Sequence, residues 1–532
     1  MALAAGTLVA GCANGGSGGA SPDTPPLESA RELLAEFENL VPHRRGGTEE
    51  NAVAHRWLLE RYRRARPPEL TVDPFHFRNW QPTETRARVR GEGIDEDLDH
   101  VPLWFGGPSA FSGELVYLGP GAERDYPSRD VAGKAVLVDG NPLLSRTRAY
   151  AFAEAAGAAA FVSIGAAPDN LPQIYPVRCP AEPPGTIPAV GIGGEDGARL
   201  VNLLRDGPLT VDVSVEADVG RGTGWNIVAR VPGTVDPDRQ ILMAAHYDAW
   251  FSGGADNGAG TITVLKILEH YARHPARHTI TAVATDVEEW GLYGATVYVE
   301  RNEDWRERTL AAFSIDTAVS TADALGTVGY TERSPMLGDL REARFTELYT
   351  APLPLNLIQI FQGWLLGNDA QPFYWWGVQT SMAVALPPRY HTREDRSRFI
   401  DLDRFDLSIE RYIEVIDRVD AREPDDYLVE ELPRLDVAPG PVAAGEPVSV
   451  DVSFTTRGTG LPITGADVKC VVLHDDLVYQ GEAPGLPQAP GEYTCDLPAS
   501  AFFPSEIPFW IDVTGSQALA GKRERFVRVV VR

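Results

Sequence analysis

The sequence predicts an α/β protein: a mixed sheet with helices on both faces, a smaller α/β segment inserted into it, and a C-terminal β-sandwich. Three observations carry this. Between about 223 and 420, strands rich in β-branched residues alternate with helical patterns. A second, separate strand–helix succession at about 105–218 divides that run from the helices that open the chain. Beyond about 437 no helical period remains, and short strand-like runs alternate with turn residues. A chain of 532 residues with 43% apolar content exceeds one ordinary core, so two to four domains are expected.

The elements follow in order. Residues 1–26 read as a signal and flexible tether: ALAAGTLVAG is small and apolar, and Cys12 is followed by a Gly/Ser/Pro-rich stretch. Residues 27–104 open the main domain with helical patterns at 29–41 and 50–65, then the strand-like pieces LTVDPFHF and TRARVRG. Residues 105–222 form the insert, running GELVYLG, GKAVLVDG, the helix RAYAFAEAAGA, AAFVSIG, a Pro-rich loop and TIPAVGIGGEDGARLVNLLRDG, then LTVDVSVEA. Residues 223–422 resume the main domain and close with the helical pattern 402–420. The stretch AREPDDYLVEELPRLDVAPG reads as a linker, and 437–532 as an immunoglobulin-like β-sandwich without a catalytic grouping.

Acidic residues outnumber basic ones 75 to 48, for a net charge of -27, and the pI is near 4.8. Such a surface repels phosphate backbones and argues against nucleic acid as a partner. Of the four cysteines, Cys470 and Cys495 lie in neighbouring β-like runs. They form either a disulfide or two reduced core thiols, because the sequence does not supply the geometry a bond needs. Cys179 sits in the loop RCPAEPPG with no evident partner. Outside the N-terminal run, no stretch approaches the roughly 18 apolar residues of a membrane span.

One constellation carries chemistry. His246-Tyr247-Asp248 ends the strand ILMAAHYD, and Asp256 follows in the Gly-rich turn GGADNGAG. Glu288-Glu289 ends ITAVATDVEE, Asp316 ends AAFSIDT, and His391 lies in the loop after TSMAVAL. Singly these residues are weak signals. Together they place imidazoles and carboxylates at strand ends, where open α/β sheets bind ligands. Burying them there without a function is costly, and metal-dependent hydrolysis needs such ligands around open coordination positions.

The motifs HxD, GxDNGAG, EExGLxGA, the Asp-tipped strand and YHTxxD resemble the co-catalytic zinc exopeptidases, which include bacterial zinc aminopeptidases and glutamate carboxypeptidase II. In the insert, GK-VLV-G, an Ala-rich helix ending in AGA, and IPAVGI…DGARL resemble the protease-associated domain. The first resemblance implies a peptide substrate and two zinc ions. One ion would be held by His246 and Asp316, the other by Glu289 and His391, with Asp256 bridging. Glu288 would be the general base, and Asp248 would orient His246 by accepting its free ring N–H. Tyr390 matches a tyrosine that stabilises the oxyanion in several relatives, with a packed aromatic as the alternative. A cis peptide at Asp256–Asn257 is also implied.

Val9-Ala10-Gly11-Cys12 resembles the bacterial lipobox, although no Lys or Arg precedes the apolar run. That resemblance implies lipidation at Cys12, an extracytoplasmic location, and membrane contact only through the anchor. Trp250, TDVEEWGLYGA and LGNDAQPF (366–373) resemble the carboxypeptidase branch, and Asn368-Asp369-Ala370 stands where many aminopeptidases carry Ser-Asp-His. Yet VQTSMAVAL lacks the arginines that bind substrate carboxylates there, and Asp139 replaces an arginine that grips the terminal carboxylate. An anionic pocket favours a free amine, so aminopeptidase action is expected. The alternatives are a carboxypeptidase or dipeptidase, a one-zinc glutaminyl cyclase-like acyltransferase, and a non-catalytic receptor-like scaffold.

Overall fold

The computed structural model describes residues 28–140, 146–178, 184–289, 291–317, 325–329, 336–348, 368–375, 378–427 and 433–439. Beyond these it describes 442–456, 460–462, 464–465, 468–474, 478–502, 509–515 and 523–529. Cys12 and Cys179 lie outside the described residues, and so does the lipobox-like segment. No described helix is long and apolar enough to cross a membrane.

The main sheet is built on four parallel strands. These are β9 (Asp236–His246), β10 (His278–Thr285), β11 (Thr309–Ile315) and β13 (Thr380–Leu386), in the spatial order β13-β11-β9-β10. β12 (Leu325–Gly329) closes one edge, antiparallel to β13. Alternate residues of β9 serve two cores. Ile241, Met243 and Ala245 pack with the helices Ala30–Glu38, Glu49–Ala65, Gly260–Arg273 and Leu402–Ala421. Leu242 and Ala244 face the other way, toward Ala295 and Tyr298 of the helix Tyr293–Arg301 and Phe373 of Ala370–Trp375. Burial on both faces explains why these strands read as continuous apolar runs.

Local signals set the helix starts. Ser29 and Glu32 form a reciprocal capping box, Thr48 accepts the Asn51 N–H, and Asp401 accepts the N–H groups of Asp403 and Arg404. Each cap is worth about 1 kcal/mol.

Two long strands join the main sheet to the insert. β1 (Glu69–Gly91) runs antiparallel to β8 (Thr210–Val231) from Glu69↔Arg230 to Arg90↔Thr210. The C-terminal half of β8 pairs with β10, and its N-terminal half with β4 (Ala110–Tyr117). β4, β5 (Ala135–Asp139), β6 (Ala160–Ile164) and β7 (Ala189–Ile192) are parallel and form the insert's sheet. β2 (Ile94–Asp97) pairs with β1, and β3 (His100–Pro102) with β7. The sequence suggested separate short strands on either side of residues 218–224. Instead the Gly-rich GRGTG lies inside β8. Gly222 and Gly224 lie against the rings of Phe77 and Phe75, where a Cβ would collide, so these glycines serve packing and not a hinge.

The tail forms two antiparallel layers. One is β14 (Pro433–Pro439), β15 (Val448–Thr456), β18 (Glu492–Leu497) and the end of β17 (Val478–Ala489). The other is the start of β17, β16 (Val468–His474), β19 (Phe509–Gly515) and β20 (Arg523–Val529). Val450, Val452 and Phe454 of one layer share a core with Val472, Phe509 and Ile511 of the other. A disulfide joins Cys470 of β16 to Cys495 of β18, with Cα atoms 6.2 Å apart. Two elements differ from the sequence reading: β14 occupies part of the expected linker, and β17 had not been recognised among its prolines and glycines.

Candidate active site

The parallel strands β9, β10, β11 and β13 present their C-terminal ends at one edge of the sheet, and the six singled-out residues converge there. His246 is the last residue of β9, Asp316 follows β11, Glu288 and Glu289 follow β10, and His391 lies in the loop after β13. Asp256 occupies the turn before the helix Gly260–Arg273, with a cis peptide to Asn257. Asp256 faces both histidines. Its Oδ1 lies 3.3 Å from His246 Nε2, and its Oδ2 lies 3.2 Å from His391 Nε2. Asp316 Oδ1 is 3.5 Å from His246 Nε2, and Glu289 Oε2 is 3.0 Å from His391 Nε2. Glu288 Oε2 stands 3.9 Å from His246 Nε2.

These atoms lack what buried polar atoms ordinarily have. His246 Nε2, His391 Nε2, Asp256 Oδ2, Glu289 Oε1 and Asp316 Oδ1 are buried and have no hydrogen-bond partner among the described residues. Five such atoms aimed at one space would each carry a desolvation cost, unless a cation occupies it. Ligand atoms of His246, Glu288 and Asp316 lie within 4.8 Å of one another, as do those of His246, Asp256 and Glu289. Those groupings omit His391. The shorter pairwise contacts divide the candidate ligands as His246–Asp256–Asp316 and His391–Asp256–Glu289, each aiming a ring nitrogen at Asp256.

The electrostatics agree. Burial drives Glu288 well above the ordinary carboxylate range, reinforced by Asp316, Glu289 and Asp369. Burial and Asp256 push Glu289 to about 8. Burial opposes charge on the His391 ring, but Glu289 and Asp256 outweigh it and hold it at about 9. The cluster is short of positive charge.

Residues 226–416 match the model of peptidase family M28, and 111–200 match the PA domain. The stretch 226–416 is thus similar to peptidase family M28. The chain is 29% identical over 180 residues to the probable leucine aminopeptidase 2 of Aspergillus oryzae, covering 34% of this chain and 36% of that protein. It is also 29% identical over 152 residues to a probable glutamate carboxypeptidase of Arabidopsis thaliana, covering 27% and 21%. The matched region thus spans about a third or less of these relatives. Two solved structures share the fold. One is a zinc aminopeptidase from Bacillus subtilis (TM-score 0.59, 20% identity, 74% of this chain and 95% of that one). The other is a peptidase M28 precursor from Shewanella amazonensis (TM-score 0.63, 18% identity, 74% and 93%).

Within the stretch 226–416, Asp248 divides its work. Its backbone carbonyl is the nearer acceptor for His246 Nδ1, at 3.2 Å, and its carboxylate Oδ1 stands at 3.5 Å. The carboxylate accepts the N–H groups of Glu288 (3.0 Å) and Glu289 (3.3 Å), tying β9 to the loop after β10. Three non-glycine residues beside the ligands have left-handed backbones: Val287 (φ 59°), Thr317 (φ 44°) and His391 (φ 58°). Each costs of order 1–3 kcal/mol and persists only where surroundings fix it. Here Asp286 Oδ1 accepts the Val287 N–H, Asn257 Oδ1 accepts the Thr317 N–H, and the His391 carbonyl accepts the Ile174 N–H at 3.0 Å.

Ile174 belongs to the PA domain. Its neighbour Gln173 donates to the Tyr390 carbonyl at 3.0 Å, and Asp169 pairs with Arg389, so this loop braces the segment that carries His391. The Tyr390 ring stacks on His391 with centroids 3.7 Å apart. The carboxylates of Asp256, Glu289, Asp316 and Glu288 join burial in raising its hydroxyl well above the usual range. The ring is thus packed and its hydroxyl also lies near the cluster. Trp250 meets His391 and Trp104 edge-on, at 6.1 and 4.8 Å. Asp139 ends β5, where its carboxylate accepts the Tyr117 hydroxyl at 2.8 Å. Among the described residues no hydrogen bond or ion pair joins Asp139 to the six.

Sequence reasoning assigned no role to four buried residues. Asp395 accepts the N–H groups of Ala255 (3.0 Å) and Asp256 (2.9 Å). Asp286 accepts from Asn51, the Tyr247 hydroxyl and the Trp225 N–H. Asp369 takes the Thr285 hydroxyl, and Arg44 grips the loop after β9. Only Asp395, in YHTRED, and Asp369, in GND, carried a sequence signal.

Proposed function

We propose that the chain is a two-zinc exopeptidase that removes residues from the free N-terminus of peptides. The observation that supports this best is Asp256, whose two carboxylate oxygens face two histidines with bare ring nitrogens. His246 and Asp316 would hold one ion, His391 and Glu289 the other, with Asp256 shared. Zinc bound there would supply a Lewis acid for the scissile carbonyl and a water acidified toward neutral pH. Glu288, 3.9 Å from His246, would take the water's proton and pass it to the departing amine nitrogen. The Tyr390 hydroxyl would donate to the carbonyl oxygen as negative charge develops on it.

The choice of end rests on the similarity to leucine aminopeptidases and on Asp139, which offers no grip for a terminal carboxylate. A matched pair of peptides, free and N-acetylated, tests this with and without a chelator. Cleavage of the free-amine peptide alone, abolished by chelator, is expected. Release of a C-terminal residue from the acetylated peptide would instead establish the carboxypeptidase reading.

The lipobox-like VAGC supports an extracytoplasmic protein anchored through Cys12. In a bacterial host, Cys12→Ser is expected to move the chain from the membrane fraction to the soluble one. An unchanged distribution would remove the anchor.

A further inference from the structure

We propose that Arg44 is the positioning residue of the metal site: it fixes the 247–253 turn that joins His246 and Asp248 to Asp256. The inference rests on the two-metal reading. Arg44 comes from the short connection between the helices Ala30–Glu38 and Glu49–Ala65, some 200 residues before the ligands it serves, and outside the segment matched to the peptidase family.

Its side chain is fully buried. Nε donates to the Tyr247 carbonyl at 2.7 Å, Nη1 to Ser252 and Nη2 to Gly253 at 3.0 Å. Its backbone pairs both ways with Ala249, at 3.1 and 3.3 Å. Five hydrogen bonds thus connect one residue to the seven-residue turn between the ligands. Gly253 takes φ 53°, and a Cβ there would collide with the Asp256 carbonyl and Ala249 Cβ and also crowd Nη2, so the turn closes tightly beside the guanidinium. Asn51 fixes the clamp from behind by donating to the Arg44 carbonyl at 3.0 Å and to Asp286 at 2.9 Å.

The guanidinium lies 4.3 Å from the Phe37 ring centroid, and all three hydrogen-bond acceptors are neutral carbonyls. A buried arginine usually answers a carboxylate directly. The carboxylates of Asp395, Asp248, Asp256 and Glu289 act on this one through space. Arg44 therefore does two things for the site. It sets the distance between His246 and Asp256, and it holds a positive charge against the carbonyls of the turn. Lysine reproduces the charge but not the planar fork that reaches three carbonyls.

The test uses the full chain as wild type, Arg44→Lys, Arg44→Met and Arg61→Met. Arg61 is a control from the same N-terminal lobe, where it pairs with Glu36 and covers Trp57. Competition with a zinc-binding dye gives the number of ions and each Kd, thermal melts of metal-free protein report the fold, and steady-state kinetics separate kcat from KM. Both Arg44 variants are expected to lose about tenfold or more in affinity for at least one ion, the scale on which supports of metal ligands act. Their kcat should fall while KM stays within about threefold. Arg61→Met should lower the melting temperature with zinc affinity intact. The proposal is overturned if both Arg44 variants bind two zinc ions with wild-type affinity, or if Arg61→Met weakens zinc equally. It is also overturned if neither Arg44 variant folds at saturating zinc, since the arginine would then hold the fold and not the site. A wild type that binds no zinc defeats the two-metal reading itself, a result distinct from all of these.

Discussion

Asp256 shows how one side chain organises the centre. Each carboxylate oxygen faces a different histidine, and its own N–H and that of Ala255 are held by Asp395. Glu288 has a different part, standing farther from His246 than Asp256 or Asp316 does. Glu288→Gln is therefore expected to keep both zinc ions while lowering kcat by about 10²–10⁴-fold; dye titration beside kinetics measures both, and a variant with near-normal kcat would remove Glu288 as the base. The candidate ligand positions were legible in the sequence because four stand beside a strand end or in a Gly-rich turn and His391 sits in the motif YHTxxD. Their supports were not. Arg44 and Asn51 meet their partners across about 200 residues, and no local pattern marks a buried arginine that bonds only to carbonyls.

At the scale of elements, the alternation of strand and helix marked the elements of the main sheet, and the helix boundaries fall within three residues of the sequence reading. The long strands were harder. β8 runs across the boundary drawn at 222/223, and the glycines of GRGTG there admit the rings of Phe75 and Phe77. Gly222→Ala should accordingly destabilise the protein by about 1–3 kcal/mol, the usual cost of overpacking, read from urea denaturation; an unchanged midpoint would remove the packing role of this glycine. β17 escaped recognition for a related reason. Prolines and glycines normally end strands, but here they fall in the strand that passes from one layer of the sandwich to the other.

For the whole molecule, the pieces meet at the site. The N-terminal lobe supplies Arg44, the main sheet supplies the candidate metal ligands, and the insert braces the His391 loop through Gln173 and Ile174. Without metal this assembly is electrostatically strained. Burial raises Asp286, Asp369 and Asp395 to about 7 each, above their unfolded values. A carboxylate raised on folding contributes stability that is full below its unfolded pKa, near 4, and lost as pH climbs toward 7. His391, held at about 9, adds a loss of the same sign at higher pH. The metal-free protein should thus melt progressively lower from pH 5 to pH 8, and saturating zinc should shrink that dependence; a flat metal-free profile would contradict this account of the charges.

The central claim is that two ions share Asp256 in a site that acts on free amines. Its most direct test is to strip the protein with chelator, return zinc in fractions of an equivalent, and follow hydrolysis of a free-amine peptide beside its N-acetylated twin. Activity on the free amine alone, reaching its plateau near two equivalents, is the predicted result. A plateau at one equivalent, or equal cleavage of the blocked peptide, would contradict it.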